Sequence, residues 1–445
     1  MEYLKKITDG EPLKISKYAS FIERDSGDII IYSSLSGLIL HCSEQEYIDK
    51  AIAIRDSEEL VYCSDNPLVV LLYEHKVLVT LDFDEDIYVR SIYENNLMRA
   101  SDLKLMLIVT RDCNFDCAYC GQRHENMIMQ QETYDAIYNF IEKSLLDKKY
   151  ELINISFFGG EPLLGYSKIV RFLQKLKRLC EKLNVPLISS MTTNGYLLTS
   201  SRFEKLVTLG CKHYQITVDG TAETHNKTRY LRNGKGTWEK IMENLKYAIS
   251  TDYEFSITLR TNYNMDIANV LDDFYRYVEK NLKDDRIFIY FESIKDHGNE
   301  NCPETINKIE EVSLDEEISS CLKRHSLKLS NVLHMTSPLS RTCYASKPNF
   351  FIIDYDSSVK KCSHRLNEEF NKIGILNSDG TLDLDKLLHA KWIYSDYLAS
   401  DNCKNCKILP LCMGKKCPCM YFTGGNYCMN TADETDILLE ISSYV

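Results

Sequence analysis

Three cysteines crowd into the stretch RDCNFDCAYCGQ, residues 111–122: Cys113, Cys117 and Cys120, spaced C-x3-C-x2-C, with Tyr119 just before the last. Thiolates at this density ligate metal. An iron–sulfur cluster usually takes four. Three would leave one iron of a [4Fe–4S] cube open to an outside ligand. Zinc is the other reading, but zinc motifs pair a C-x2-C with a second pair close by, and only His124 is at hand. A second cysteine set follows residue 340: Cys343, Cys362, Cys403, Cys406, Cys412, Cys417, Cys419 and Cys428. The remaining six of the 17 cysteines are scattered and read as small buried hydrophobes.

Other candidates sit after apolar stretches. FFGGEP supplies Gly159, Gly160, Glu161 and Pro162; TTNG supplies Thr193 and Asn194; TVDG supplies Thr217; HNKTRYLRNGKGTW supplies Arg229. Taken singly, each is also what a tight turn or a solvated loop contains.

The elements that must hold these residues have a clear rhythm. Apolar strand candidates at 103–109, 153–158, 186–192, 213–218, 255–261 and 286–292 alternate with amphipathic helix candidates near 131–146, 167–184, 201–209, 237–250, 267–282 and 304–323. Six β-then-α units imply a parallel sheet with right-handed crossovers. Eight would close a barrel, so six give an open, partial (β/α)6 barrel in an α/β chain. Sites in such folds lie at the carboxyl ends of strands, where the three-cysteine stretch falls. Ahead of this region, residues 1–98 carry a β-ribbon candidate (14–40) and helix candidates (44–75), the pattern of a small α+β module. Behind it the regular pattern fades, and the cysteine-dense stretch 401–430 needs metal to hold it. The expected domains are 1–98, 99–325 and 326–445.

Composition narrows the class. A chain of 445 residues with 44% hydrophobic and 27% charged residues is ordinary for a globular protein. The net charge of −12 argues against general nucleic-acid binding. No apolar run approaches the roughly 20 residues of a membrane span, and the start MEYLKKITDGEPLKI lacks the apolar core of a secretory signal. The expected location is the cytoplasm, where many cysteines mean metal rather than disulfides.

Cys113, Cys117 and Cys120 together with the GGEP stretch closely resemble the signature of the radical S-adenosylmethionine (SAM) superfamily. The resemblance implies a [4Fe–4S] cluster whose fourth iron binds SAM, and reductive cleavage of SAM to a 5′-deoxyadenosyl radical. It also implies that the backbone of Gly159, Gly160, Glu161 and Pro162 receives the SAM amino group. Thr193, Asn194 and Thr217 would contact ribose and carboxylate, and Arg229 would pair with the carboxylate. The later cysteines resemble the SPASM domain that follows the radical SAM barrel in peptide-modifying enzymes. By that resemblance Cys403, Cys406, Cys412 and Cys428 hold an outer auxiliary cluster. Cys343, Cys362 and Cys417 hold an inner one, either with Cys419 as its fourth ligand or with one iron open to a substrate thiolate, making three [4Fe–4S] clusters in all; a pair of zinc sites is the alternative. Two departures stand out. Ser357 occupies the place of a glycine before Cys362, and Cys417 follows Cys412 by one residue more than the pattern allows. Proline in KKCPC is expected to hold Cys417 and Cys419 in an extended turn.

The expected function follows from the resemblance. A winged-helix-like N-terminal domain binds the leader of a ribosomally made precursor peptide. The barrel, fed by a reductant such as flavodoxin or ferredoxin, installs a crosslink in the core peptide, for which a thioether is the first expectation. Alternatives are a carbon–carbon crosslink, an epimer, oxidation of a protein as in anaerobic sulfatase maturases, or a metal-stabilised scaffold that only binds peptides. No catalytic base is identifiable.

Overall fold

A computed structural model describes residues 7–24, 26–98, 101–122, 124–296, 300–330, 336–394, 403, 405–414 and 417–424. The chain forms two compact units. One comprises residues 1–99, 331–348 and 390–445; the other comprises 100–330 and 349–389. Residues 326–445 are thus divided between the two. Among the described residues no helix is long and apolar enough to cross a membrane.

The first unit opens with β1 (Pro12–Ile15), β2 (Ala19–Glu23), β3 (Ile29–Ser33), β4 (Leu38–Cys42), α1 (Gln45–Arg55), β5 (Leu60–Val61), α2 (Pro67–Glu74), β6 (Leu78–Thr80) and α3 (Glu85–Met98). β2, β3 and β4 form an antiparallel sheet with β3 central; a second sheet has the order β5-β1-β6. β3 is buried along its whole length because alternate residues face two different cores. Ile29 and Ile31 pack with Ala51 of α1 and with Leu68, Val69 and Leu72 of α2. Tyr32 faces the other way, against Ile408 and Leu411. α2 is started by Asn66, whose side chain accepts from Leu68 N and Val69 N, with Pro67 at the first helical position. Tyr18, Leu35, Val89 and Tyr93 pack on Leu409 and Met413, with Cys403 and Cys406 at the edge of that cluster. Ser34 Oγ donates to Lys407 O at 2.5 Å. The N-terminal module and the late cysteine-rich segment therefore share one core.

The second unit is built on a sheet of ten strands. Six of them, β7 (Asp102–Thr110), β8 (Leu152–Gly159), β9 (Leu187–Thr193), β10 (Cys211–Thr217), β11 (Ser256–Tyr263) and β12 (Ile287–Ser293), lie side by side in chain order. All five pairings among them are parallel. The connecting helices are α4 (Gln131–Leu146), α5 (Tyr166–Leu183), α6 (Ser200–Thr208), α7 (Ala222–Thr228), α8 (Trp238–Ile249), α9 (Met265–Ala268) and α10 (Leu271–Asn281), with α11 (Lys308–Arg324) after β12. Strands in consecutive order with right-handed crossovers carry all their helices on one face. Burial follows suit. Ile153, Ile155 and Phe157 of β8 are fully buried, while Leu152, Asn154 and Ser156 between them are only half-buried. The half-buried face is mixed, carrying Leu152 and Phe158 beside polar residues. It includes Ser156 and Ser190, hydrogen-bonded at 2.9 Å, and Thr192, Gln215, Arg260 and Glu292. Parallel sheets with both faces in a core are near-continuously apolar; here the polar side chains break that pattern on one face.

The chain after residue 340 is more regular than its pattern suggests. β13 (Phe350–Ile353) adds to the sheet parallel to β7, and β14 (Ser358–Lys360), β15 (Lys372–Leu376) and β16 (Leu382–Leu384) continue it antiparallel. Ser357, in the tight turn between β13 and β14, has φ 65°. That left-handed conformation costs an L-residue roughly 1 kcal/mol, which explains a glycine preference at this position. Ser357 offsets the cost with a hydrogen bond of 3.1 Å to Thr133 of α4. Ser357→Ala keeps the strain and loses the bond, whereas Ser357→Gly loses both. The glycine variant is expected to be about 1 kcal/mol more stable than the alanine variant in thermal or denaturant unfolding; equal stability would contradict a strained turn.

Candidate functional site

The loop after β7 is stitched into place along most of its length. Asp116 N donates to Tyr230 O and Ala118 N to Thr228 O, both at 2.9 Å, so the 113–120 segment lies along residues 228–232. Cys113 and Cys117 are buried and Cys120 is half-buried; none is in a disulfide. Burial pushes the Cys113 thiol up to about 12 and the Cys117 thiol up to about 11. Both are therefore protonated until a metal displaces the proton. Cys120 Sγ lies 3.6 Å from His124 Nε2.

The Gly-Gly-Glu turn closes on this loop. Gly160 N donates to Thr110 O and Glu161 N to Asp112 O, each at 2.9 Å. An added Cβ on Gly159 would lie 2.2 Å from Thr110 O, and one on Gly160 2.1 Å from Asp112 O. The two N–H groups are thus spent on the cysteine loop, and an amino group arriving here would donate to carbonyls. Pro162 starts a short 3-10 helix, Pro162–Gly165. Glu161 is fully buried and its carboxylate faces inward. It accepts from Leu163 N at 2.9 Å, Thr193 Oγ1 at 2.7 Å and Asn194 N at 2.7 Å. Burial raises its pKa, and these donors offset only part of the rise. Its side chain organises the turn after β9. Asn194 in turn reaches Asn114 Oδ1 at 2.8 Å and lies 3.8 Å from Cys113 Sγ.

Thr217 ends β10. Arg229 is buried and donates to Tyr119 Oη at 2.8 Å, with its guanidinium 5.7 Å from the Phe115 ring centroid. Tyr119 also donates to Asp219 and accepts from Asn262 Nδ2 at 2.9 Å. Asp219 accepts from Asn262 N at 2.9 Å. Burial alone would lower Arg229; Cys117, Tyr119 and Asp219 outweigh it and hold the guanidinium charged. Burial raises Asp219, against Arg229 and Tyr119, which lower it. Asp219 and Asn262 were not singled out from the sequence. Their signal was position: both lie at the carboxyl end of a strand. The same holds for Arg111, which pairs at 2.5 Å with fully buried Asp354, itself paired with Lys360 at 2.6 Å. This ties the start of the cysteine loop to β13–β14.

Two buried polar atoms beside the cysteine loop have no hydrogen-bond partner: Arg229 Nε and Asn114 Nδ2. Orphaned donors of this kind are costly unless a ligand accepts from them. They fit a site built for a carboxylate- or sulfide-bearing group.

The late cysteines are placed as follows. Cys343 precedes a 3-10 turn, Tyr344–Ser346, in the first unit. Cys362 follows β14 in the second, its N–H donating to Asn371 Oδ1 at 2.8 Å. Cys403, Cys406, Cys412, Cys417 and Cys419 belong to the first unit. Cys428 lies outside the described residues. The extended turn expected at Pro418 is absent. Pro418 has φ −61° and ψ −19° and caps a short helix, Cys419–Thr423, as suits a residue pre-set for a helix start.

An open parallel sheet of six βα units, with three thiols in the loop after its first strand and a Gly-Gly-Glu turn locked to that loop, defines a radical SAM domain. Residues 107–274 match the Radical SAM superfamily model, and the chain carries a domain of that family. It is similar to the cysteine-type anaerobic sulfatase-maturating enzyme of Clostridium novyi, 26% identical over 68% of this chain and 84% of that protein. Among solved structures it resembles native anSMEcpe with bound AdoMet and Cp18Cys peptide, with a TM-score of 0.59, 19% identity and coverage of 77% of this chain and 98% of that one. It also resembles Streptococcus suis SuiB bound to precursor peptide SuiA, with a TM-score of 0.52, 12% identity and coverage of 94% and 99%. At these identities the structural likenesses establish the fold.

Proposed function

We propose that this radical SAM enzyme crosslinks a ribosomally made precursor peptide, joining a cysteine sulfur to a carbon of another residue. The observation that carries the catalytic half is the lock between the three-thiol loop and the Gly-Gly-Glu turn, with Arg229 Nε and Asn114 Nδ2 left without partners beside it. Cys113, Cys117 and Cys120 would hold a [4Fe–4S] cluster. When bound, that cluster and SAM supply a carbon-centred radical that takes a hydrogen atom from the substrate. Carbonyls of the 159–162 turn would accept from the SAM amino group. Arg229, kept charged by its neighbours, would meet the carboxylate, with Thr193, Asn194 and Thr217 lining the same strand ends. Because Thr193 already donates to Glu161, its part is to fix the turn. The mixed, half-buried sheet face would receive the core peptide.

The peptide half rests on the first unit. Among the described residues, both outer strands of the sheet β2-β3-β4 pair on one side only. An extended leader would add a strand to such an edge, as the winged-helix-like reading of residues 1–98 requires. The late cysteines would hold auxiliary clusters, with Cys403, Cys406, Cys412 and Cys428 holding one of them. A small reductant such as flavodoxin or ferredoxin would supply electrons. A second reading, oxidation of a protein cysteine, is favoured by the Clostridium novyi relative.

The test is to incubate reduced, reconstituted enzyme with SAM and candidate cysteine-bearing peptides from short reading frames beside its gene. A thioether predicts a product lighter by two hydrogens whose cysteine no longer alkylates. A product lighter by two hydrogens that still alkylates would replace the thioether by a carbon–carbon bond. An aldehyde at the cysteine would support the second reading. SAM cleavage with the peptides unchanged would reject the peptide assignment.

A further inference from the structure

Outside the site just described, two helices of the second unit bring a cysteine, a histidine and two carboxylates to one spot. Asp272 and Glu279 lie seven residues apart on α10, hence on one face. Cys321 lies on α11, and His325 extends that helix's last turn, His325 N donating to Cys321 O at 3.2 Å. The (i, i+4) spacing again puts both side chains on one face. Cys321 and His325 are buried.

The geometry points to a zinc site of three protein ligands: Cys321 Sγ, His325 Nε2 and Asp272 Oδ1. These atoms all lie within 4.8 Å of one another. Sγ stands 3.4 Å from Oδ1, and Nε2 stands 3.2 Å from it. Tetrahedral ligands on zinc, with bonds of about 2.3 Å to sulfur and about 2.0 Å to nitrogen or oxygen, are separated by about 3.5 Å and about 3.3 Å respectively. The outer contacts match as well. Glu279 Oε2 lies 2.9 Å from His325 Nδ1, the carboxylate–histidine arrangement that fixes the tautomer so that Nε2 bears the lone pair. Arg276 donates to Asp272 Oδ2, which leaves Oδ1 as the inward atom. Among the described residues, Arg324 stands in the way. It reaches Oδ1 at 3.1 Å, but its side chain is 62% exposed and has room to swing out. The donor set of one thiolate, one imidazole and one carboxylate suits zinc over magnesium or calcium. Two negative ligands neutralise the ion. Its effect would be to clip α11 to α10 at the end of the sheet. Nothing in the peptide reading depends on it.

The experiment uses the full chain with its iron–sulfur sites reconstituted, so that zinc cannot enter the other cysteines. It is loaded with zinc chloride, desalted and measured for metal content and zinc X-ray absorption. About one zinc per chain is expected, in a shell of one sulfur and otherwise nitrogen or oxygen. Cys321→Ser and His325→Gln should each lose it while keeping wild-type iron. Glu279→Gln should weaken zinc binding 10–100-fold, about the range for an outer-shell partner. Arg324→Ala should tighten it, because Oδ1 loses a competing donor; a purely structural hydrogen-bond cluster would show no such gain. Zinc absent from the wild type, retained by both ligand variants, or found in an all-sulfur shell would overturn the site.

Discussion

Replacing Cys113, Cys117 and Cys120 together by Ala is expected to reduce SAM cleavage to background and to remove about four irons per chain, the content of one cube. The fold should survive. Each change deletes a single sulfur, and the loop stays held by backbone bonds that need no thiol: Asp116 N to Tyr230 O, Ala118 N to Thr228 O, Gly160 N to Thr110 O and Glu161 N to Asp112 O. Truncating three small buried or half-buried side chains costs a few kcal/mol at most, on the order of one methyl-sized cavity each. The measurements are iron content after anaerobic reconstitution, 5′-deoxyadenosine formation and a melting curve. A triple variant that is well folded and still cleaves SAM would take this loop out of the chemistry. Iron remaining after the triple change would report the late cysteines, so the same sample counts auxiliary clusters without assigning them in advance.

The alternation of strands and helices in residues 102–324 was legible because each element is long and strictly patterned. Leu103, Leu105 and Leu107 alternate with half-buried residues along β7, and α5 carries Ile169, Phe172, Leu173 and Leu176 on one stripe. The strands after residue 349 were not legible, since they run only three to five residues and pairing decides such segments more than local pattern does. The core that Tyr18, Tyr32, Leu35, Val89 and Tyr93 share with Ile408, Leu409, Leu411 and Met413 was hidden for a different reason. Tyr32 and Leu411 are buried together, but nothing local to either names the other. This affects experimental design. Deleting residues 1–98 would strip Tyr18, Leu35, Val89 and Tyr93 from Leu409 and Met413, so loss of peptide processing would not isolate leader capture. Charged substitutions at the outward positions of β2 or β4 are the cleaner probe.

Motif residues were legible by identity and less so by role. Glu161 reads as part of a cofactor-contacting turn, yet its carboxylate is wholly engaged by Leu163, Thr193 and Asn194. Tyr119 reads as an aromatic beside a cysteine, yet its hydroxyl joins Arg229, Asp219 and Asn262. Both roles depend on partners dozens of residues away, which spacing within a motif does not encode.

The same contact geometry makes Gly159→Ala and Gly160→Ala the most damaging single changes expected outside the ligands. An ordinary Cβ contact is 3.4 Å or more, whereas alanine at 159 would place its Cβ 2.2 Å from Thr110 O and alanine at 160 would place it 2.1 Å from Asp112 O. The obstructing atoms are backbone, so no side-chain rotation relieves the clash. The turn and the cysteine loop must part, breaking the Gly160–Thr110 and Glu161–Asp112 bonds. Leaving those groups unsatisfied costs about 1–3 kcal/mol each. Gly159 also has φ 131°, a conformation essentially reserved for glycine, which adds about 1–3 kcal/mol of strain. The expected losses are therefore about 2–6 kcal/mol for Gly160→Ala and more for Gly159→Ala. Because the displaced atoms flank Cys113, both variants should also lose the iron bound by that loop and the cleavage of SAM. A Gly160→Ala protein with wild-type melting temperature, full iron and undiminished SAM cleavage would show that the turn and the loop are not mechanically joined.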